Sequence, residues 1–260
     1  MNYFSPHEIV EIAAISSEKK AKYTTQKLLI LSFMAGAYIA FGGLLAIAIG
    51  GGVPGIKAEN PGIAKFLFGS VFPIGLMLVA IAGAELFTGN TAYFIPAVNS
   101  NRLKRKDLFR NWGIVYFGNF LGAIFLAYFI TYLTGILNSE PWLTSIIEIG
   151  LTKTSSPFYK TFLKGIGCNW LVCLAMWQAM AAKEIIGKII GIWFPVMAFV
   201  ALGFEHSIAN MYFIPLAMFE GAGITISSFI FKNLIPATLG NIIGGAFFVG
   251  GLYYKAYNVK

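Results

Sequence analysis

The chain is poor in the residues from which most enzyme sites are built. Its 260 residues include two cysteines, two histidines and eleven acidic side chains, and only 12% of the residues are charged. Cys168 and Cys173 are five residues apart in one apolar run, so we expect them to point in different directions and to serve packing. No H-x-x-E or C-x-x-C pattern occurs, which leaves a metal or haem centre without ligands. The composition predicts neither an enzyme, nor a metal, nor a cofactor.

The first 27 residues contain no apolar run of the kind that a signal peptide needs, so we expect no cleavable signal. Residues 5–8 read S-P-H-E, a capping box with Ser5 before the helix, Pro6 at its first position and Glu8 at its third. The apolar residues that follow suit a short amphipathic helix. Residues 1–27 are therefore predicted to be a cytoplasmic segment whose helix lies on the inner membrane surface.

Long runs without Asp, Glu, Lys or Arg dominate the rest of the chain, which is 57% hydrophobic with a mean hydropathy of +0.73. A membrane-spanning helix needs about 20 apolar residues. The uninterrupted runs cover 28–56, 111–139, 165–182 and 233–254. Two more runs are each split by one glutamate, into 66–84 with 86–101 and into 189–204 with 206–219. The sequence predicts an all-α integral membrane protein with six transmembrane helices, of which the second and fifth are broken.

The net charge of +8 is distributed unevenly. With six spans both termini lie on one side, and most of the nineteen basic residues fall there. They are Lys19, Lys20, Lys22, Lys27, Arg102, Lys104, Arg105, Lys106, Arg110, Lys183, Lys188, Lys255 and Lys260. Since Lys and Arg collect in cytoplasmic loops, we expect a multi-pass protein of the cell (plasma or inner) membrane with both termini cytoplasmic. The basic excess is explained by topology, and no nucleic-acid partner is expected.

The two broken runs have nearly the same sequence. Residues 83–96 read G-A-E-L-F-T-G-N-T-A-Y-F-I-P, and residues 203–215 read G-F-E-H-S-I-A-N-M-Y-F-I-P. Each has a glutamate, an asparagine five residues later and then Y-F-I-P. Irregular backbone at membrane depth survives only where it is buried in protein or lines a cavity. Two such breaks in corresponding halves of a chain indicate a transport site.

The similarity extends beyond the breaks. F-M-A-G at 33–36 resembles F-L-K-G at 162–165, and G-N-F-L-G at 118–122 matches G-N-I-I-G at 240–244. A repeated unit of three spans must enter the membrane from the opposite side the second time, so the halves are inverted. We expect a channel domain at 28–255, with inverted repeats at 28–135 and 159–255, and a cytoplasmic tail at 256–260. The glycine pairs are expected to let helices approach closely.

Polar side chains at the breaks are the candidate functional groups. His206 is either a proton donor in the pathway or a core histidine whose nitrogens bind loop carbonyls. Thr88 could donate its hydroxyl to an anion or cap a half-helix. The residues expected to brace the loops are Glu85, Glu205, Asn90 and Asn210. The two carboxylates could accept hydrogen bonds from backbone N–H groups left unpaired by the break, facing away from any anion.

Several segments resemble the formate/nitrite transporter family, which also includes hydrosulfide channels. They are G-F-E-H-S-I-A-N-M at 203–211, E-L-F-T at 85–88, N-W with Y-F-G-N at 111–119 and N-L-I-P with T-L-G-N-I-I-G-G at 233–245. The resemblance covers nearly the whole chain. It implies an aquaporin-like protomer with an inverted 3+3 repeat, assembled as a homopentamer with one pore in each protomer.

The resemblance also implies roles for individual residues. Carried over by position, the substrate pathway comprises His206, Thr88, Asn169 on the fourth span, and Lys153, followed by Phe158, in an open vestibule. The implied constrictions are Phe72 and Leu76 on one side and Phe199 on the other. Lys153 would concentrate a small monovalent anion, and proton transfer to it at His206 would make a neutral acid able to cross the apolar constrictions.

Formate, carried with protons across the lipid bilayer, is the preferred substrate, because the Phe/Leu/Phe set resembles formate-type members. Nitrite or hydrosulfide passage through the same scaffold is the alternative. A sodium-coupled carrier also fits the repeat. A membrane-embedded enzyme subunit is a remote alternative, since no residue constellation for chemistry is present.

Overall fold

A computed structural model describes residues 3–257 of the chain. Within this range the chain is helical, apart from loops and one isolated backbone bridge between Tyr3 and Ala182. The helices of the first half are α1 Pro6–Ala21, α2 Thr25–Gly51, α3 Pro54–Glu59, α4 Pro61–Gly83, α5 Phe87–Asn99 and α6 Arg105–Tyr132. Those of the second half are α7 Trp142–Ser155, α8 Phe158–Ala181, α9 Ile185–Ala201, α10 Ser207–Phe219 and α11 Ser228–Tyr257.

Four of these helices are long and apolar enough to cross a membrane by length and composition, namely α2, α4, α6 and α11. The shorter apolar helices α9 and α10 follow one another, as do α4 and α5. Residues 84–86 separate α4 from α5, and residues 202–206 separate α9 from α10. These non-helical segments fall at the glutamates that split the apolar runs.

Helix α1 begins as predicted, with a reciprocal capping box between Ser5 and Glu8. Its residues Ile9, Val10 and Ala13 are buried where the helix packs against α5, α8 and α11, while Ile15 is exposed. That the helix also lies on the inner membrane surface stays a prediction.

Glycines bring the long helices into close contact in pairs, α6 against α2 and α11 against α8. A Cβ atom at Gly122 would lie 1.9 Å from the carbonyl oxygen of Phe33, and one at Gly244 would lie 2.4 Å from that of Ile166. No larger side chain fits at either distance, so the expected close approach at the G-x-x-x-G pairs is confirmed. The same packing joins the first and third long helices in each half of the chain.

Candidate functional site

One asparagine satisfies the backbone at the break between α4 and α5. Asn119 of α6 donates from Nδ2 to the carbonyl oxygens of Ser32 and Glu85, at 2.8 and 2.9 Å. Its Oδ1 accepts from the N–H of Phe87, the first residue of α5, at 2.9 Å. A single buried amide therefore pairs groups that a helix break leaves without partners.

Asn241 of α11 does the same at the break between α9 and α10. Its Nδ2 donates to the carbonyl oxygens of Gly165 and Glu205, each at 2.9 Å, and its Oδ1 accepts from the N–H of Ser207 at 2.8 Å. Asn119 and Asn241 are the asparagines of the two G-N-x-x-G segments. The expectation that the glutamate carboxylates accept these backbone N–H groups is wrong.

The carboxylate of Glu85 binds side chains instead. Its Oε2 accepts from Asn90 Nδ2 at 2.8 Å, and its Oε1 lies 3.1 Å from Lys20 Nζ. Lys20 also donates to Asn90 Oδ1 at 2.7 Å, and Asn90 Nδ2 reaches Asn111 Oδ1 at 2.9 Å. We call Lys20, Glu85, Asn90 and Asn111 the first cluster. Sequence reasoning missed Lys20 and Asn111, which lie on α1 and α6.

Glu205 forms an equivalent second cluster with Lys153, Asn210 and Asn233. Its Oε2 accepts from Lys153 Nζ at 3.0 Å, Asn210 Nδ2 at 2.7 Å and Asn233 Nδ2 at 3.2 Å. Asn210 Nδ2 also donates to Asn233 Oδ1 at 2.7 Å. Each glutamate is thus held by one lysine and by the asparagine five residues after it, and that asparagine also bonds an asparagine of a long helix. Glu205 contacts its long-helix asparagine, Asn233, directly as well.

Lys153 lies in the last turn of α7, with its side chain only 17% exposed. Its amine is paired with Glu205, and the side chain lines the cavity beside His206. The physical reason for this pairing is the burial of Glu205, whose side chain is 7% exposed, because a buried carboxylate requires a counter-charge. Phe158, five residues further on, is half-exposed at the start of α8.

The aromatic rings that the two lysines contact show which residues of the two breaks are equivalent. Lys20 Nζ lies 4.8 Å from the ring centroid of Tyr93, and Lys153 Nζ lies 5.7 Å from that of Phe213. Each ring is eight residues after the glutamate of its break. The Y-F-I-P segments are therefore out of register by one residue when the two breaks are aligned on their contacts.

His206 and Thr88 bring the two breaks together. His206 Nε2 lies 3.1 Å from Thr88 Oγ1, while His206 Nδ1 accepts from the N–H of Ala209 at 3.1 Å and so caps α10. Because Nδ1 is an acceptor, we assign the ring proton to Nε2, which donates to Thr88. A second proton on Nδ1 would face the Ala209 N–H, so this geometry holds a neutral imidazole. The alternative in which both nitrogens bind loop carbonyls is not observed.

Asn169 of α8 contacts the backbone of Thr88. Its Nδ2 is within 3.1 Å of the Thr88 carbonyl oxygen, 2.9 Å of Thr91 Oγ1 and 2.6 Å of the Asn241 carbonyl oxygen. Cys173 Sγ contacts the same Thr88 carbonyl at 3.4 Å, and Asn169 is fully buried. The Nδ2 group of Asn169 therefore fixes the first turn of α5, which carries Thr88. A place for Asn169 in the substrate pathway stays a prediction.

A cavity of about 150 Å³ adjoins His206. Its walls are largely aromatic, formed by Phe68, Phe72, Phe199, Phe204 and Phe213. Lys153, His206 and Asn210 also line it, so three side chains with N–H donors lie in an otherwise apolar enclosure. Glu205 is not among the lining residues, so its carboxylate faces away from this cavity.

Phe72 and Phe199 are in contact, with ring centroids 6.0 Å apart, and Phe199 lies 5.8 Å from the His206 ring. Both rings line the cavity beside His206 and belong to one aromatic wall. That they form separate constrictions on either side of the pathway stays a prediction. Leu76, one turn later, is buried and is not among the residues that line this cavity.

Comparison with known proteins places the chain among transporters and channels, not enzymes. The family model described as formate/nitrite transporter matches residues 7–255. A probable formate transporter of Methanothermobacter thermautotrophicus is 48% identical, over 98% of each chain. The formate channel BtFdhC of Bacillus thuringiensis is 40% identical, over 99% of this chain and 97% of its own length.

Solved structures agree with this assignment. One described as a pentameric formate channel with formate bound superposes with a TM-score of 0.79 and 33% identity, over 90% of this chain and 98% of that one. Together with the helical fold, these similarities establish the class of the protein. The chain belongs to the formate/nitrite transporter family.

Proposed function

We propose that this protein carries formate and similarly small monovalent anions across a cell membrane, together with protons. The observation that carries the proposal is the contact between His206 Nε2 and Thr88 Oγ1 at 3.1 Å, beside a cavity that also holds Lys153. The two formate-named relatives and the formate-bound structural neighbour support this choice of substrate.

The cavity favours an anion that is small and singly charged. Its volume of about 150 Å³ leaves little room beyond a few heavy atoms. Lys153 attracts an anion, but Glu205 already balances much of its charge. An anion with two charges would lose its hydration against the phenylalanine walls without compensation. Divalent anions are therefore excluded by desolvation rather than by size alone.

Proton transfer would occur at His206 and Thr88. Since His206 Nε2–H donates to Thr88 Oγ1, the threonine hydroxyl is left free to donate to an anion. An anion that receives a proton here becomes a neutral acid and can leave through apolar surroundings. A neutral imidazole cannot give up its only ring proton, so a proton from an external hydronium ion must enter the pair as the hydroxyl proton passes to the anion. His206 and Thr88 then relay the proton and are unchanged over a cycle. This order requires no long-lived imidazolium.

We also propose an architecture of six spans in an inverted 3+3 repeat, with α4–α5 and α9–α10 as the broken second and fifth spans. The matched contacts of Asn119 and Asn241 support it. Residues 1–27 precede a channel domain at 28–255, and the tail 256–260 lies mostly outside the described residues. The pentameric neighbour supports a homopentamer.

Both termini would be cytoplasmic in a plasma or inner membrane, with 102–110 and 183–188 on that side and Lys153 opposite. The measurement is labelling of intact cells with a membrane-impermeant thiol reagent. Lys160→Cys should react, and Arg105→Cys should react only after the cells are opened. Labelling of Arg105→Cys from outside would contradict this topology.

The alternative is nitrite or hydrosulfide passage, which the family description keeps open for nitrite. The test is flux of formate, nitrite and hydrosulfide into proteoliposomes at several pH values, with and without sodium. We expect formate to be fastest, with rates that rise as external pH falls and do not depend on sodium. Faster nitrite or hydrosulfide flux would replace formate as the substrate, and sodium dependence would indicate a coupled carrier.

A further inference from the structure

A second cavity lies next to the one that holds His206. It has a volume of about 210 Å³ and is lined by Lys57, Lys65, Phe68, Ser145 and Ile149, among others. Phe68 and Ile149 are also walls of the first cavity. The two spaces therefore share one partition, made of a single side chain from α4 and a single side chain from α7. We call the second space the α4–α7 groove.

The helical register explains why the two spaces adjoin each other. On α4, Lys65, Phe68 and Phe72 recur at intervals of three and four residues, which places them on one face. On α7, Ser145, Ile149 and Lys153 are four residues apart and also share a face. Each helix thus lines the groove with its earlier residues and the His206 cavity with its later ones.

The charge of the groove is positive because only one of its two lysines is neutralised. Lys57 Nζ is ion-paired with Glu148 Oε2, and both side chains are more than half exposed. Lys65 is exposed and has neither an ion pair nor a hydrogen bond within residues 3–257. Seven residues of helix separate Lys65 from Phe72, a rise of about 10 Å. The unpaired Lys65 is therefore about two helical turns from the part of α4 that lines the aromatic cavity.

We propose that the α4–α7 groove is an entry site for the transported anion, with Lys65 as the residue that attracts it. The ligand is a small monovalent anion of the formate class, still hydrated. A hydrated anion keeps its water in an exposed groove and needs only the field of Lys65 to be enriched there. Lys153 would receive it next, beyond Phe68 and Ile149. This inference rests on the proposed function, because it assigns the approach to the same cavity.

The experiment uses Lys65→Cys in the full-length protein in proteoliposomes, with Lys160→Cys as the matched control. Lys160 lies at the start of α8, on the same proposed side, and does not line the groove. Cys168 and Cys173 are fully buried, so added thiol reagents should select the new cysteine. A trimethylammonium-ethyl thiosulfonate restores a positive charge, and a sulfonatoethyl thiosulfonate introduces a negative one.

At about 10 mM salt the Debye length is about 30 Å, and near 1 M it is about 3 Å. We expect Lys65→Cys to raise the formate concentration for half-maximal flux about two- to fivefold at low salt, as for one charge at about 10 Å. The cationic reagent should reverse this change and the anionic reagent should enlarge it. High salt should abolish the differences, and Lys160→Cys should show none of them.

The outcomes separate the two proposals. Wild-type protein without formate flux would overturn the proposed function itself. If wild-type flux is normal and the formate concentration for half-maximal flux is the same in Lys65→Cys and Lys160→Cys after either reagent, only the proposal of an entry site in the groove is overturned. A loss in Lys65→Cys that persists at high salt and is not reversed by the cationic reagent would also overturn it, because such a loss reflects packing rather than charge.

Discussion

The two helix breaks are braced in the same way but carry different chemistry. In both, one asparagine of a long helix pairs the loop backbone, and a glutamate binds a lysine and the asparagine five residues after it. At the position after the glutamate, however, the first break has Leu86 and the second has His206. Two residues further on, the first has Thr88 and the second has Ile208.

The difference shows how two similarly braced segments hold a single site. Bracing is needed twice, because each interruption between helices leaves backbone groups without helical partners. The histidine–threonine contact is needed once, so each half supplies one partner of the pair. The lysines differ as well: Lys20 binds both Glu85 and Asn90, whereas Lys153 contacts Glu205 and faces the cavity.

The largest effect on formate import is expected at His206, which has no counterpart in the first half. His206→Asn keeps an N-cap for α10, since asparagine is a good cap, but removes the titratable ring. Formate import driven by a pH gradient should fall at least about tenfold, in the range of general acid–base contributions, while the pentamer melts near the wild-type temperature. His206→Phe should lose the cap as well and melt lower. Wild-type import by His206→Asn would remove the histidine from the mechanism.

Removing the glutamate charge should lower stability by the same amount in both halves. Glu85→Gln and Glu205→Gln each leave a mostly buried lysine unpaired, with side-chain exposures of 12% for Lys20 and 17% for Lys153. Each should lower stability by about 3 kcal/mol, measured by thermal unfolding of the oligomer in detergent. Glu148→Gln is the control, since its exposed pair should contribute less than about 1 kcal/mol. Melting of Glu205→Gln no lower than the control would refute the comparison.

Replacing the lysine of each cluster should affect formate entry differently in the two halves. Lys153→Gln leaves Glu205 uncompensated beside the cavity, so the formate concentration for half-maximal entry from the Lys153 side should rise about fivefold or more at low salt. High salt should mask the change. Lys20→Gln, the matched variant of the first cluster, should destabilise the protein without this shift. Equal effects on entry from both variants would show that Lys153 acts only through bracing.

The smallest effect concerns the aromatic wall. Phe199→Ala should widen the cavity and raise the ratio of acetate to formate flux a few-fold, with divalent anions still excluded. Because Phe72 and Phe199 touch, the double variant with Phe72→Ala should gain less than the two single changes together. Additive gains in an intact oligomer would instead indicate two independent gates, and an unchanged ratio would remove Phe199 from selectivity.

The sequence alone located the breaks well, because the motif around Glu85 recurs around Glu205 and because uncharged runs mark long apolar helices. His206 and Thr88 were candidates for the same reason. The partners of the glutamates were less predictable. Lys20 is 65 residues from Glu85 and lies on a helix outside the repeat, so nothing local signals the contact.

Other features depend on packing that the sequence does not encode locally. Asn119 and Asn241 stand between repeated glycines, and the glycine pattern alone suggests only helix contact. That both asparagines occur at the same place in the repeat was the available signal. Phe72 lies on α4 and Phe199 on α9, and no spacing along the chain reveals their contact.

We propose that the two breaks together deliver a proton to a small anion. Proteoliposomes with an internal pH indicator measure this directly when formate is added outside and flux and internal acidification are recorded together. Wild-type protein should carry one proton with each formate, above the rate of protein-free liposomes, and His206→Asn should lose this added component. Formate entry that builds a membrane potential without acidifying the interior would contradict the account.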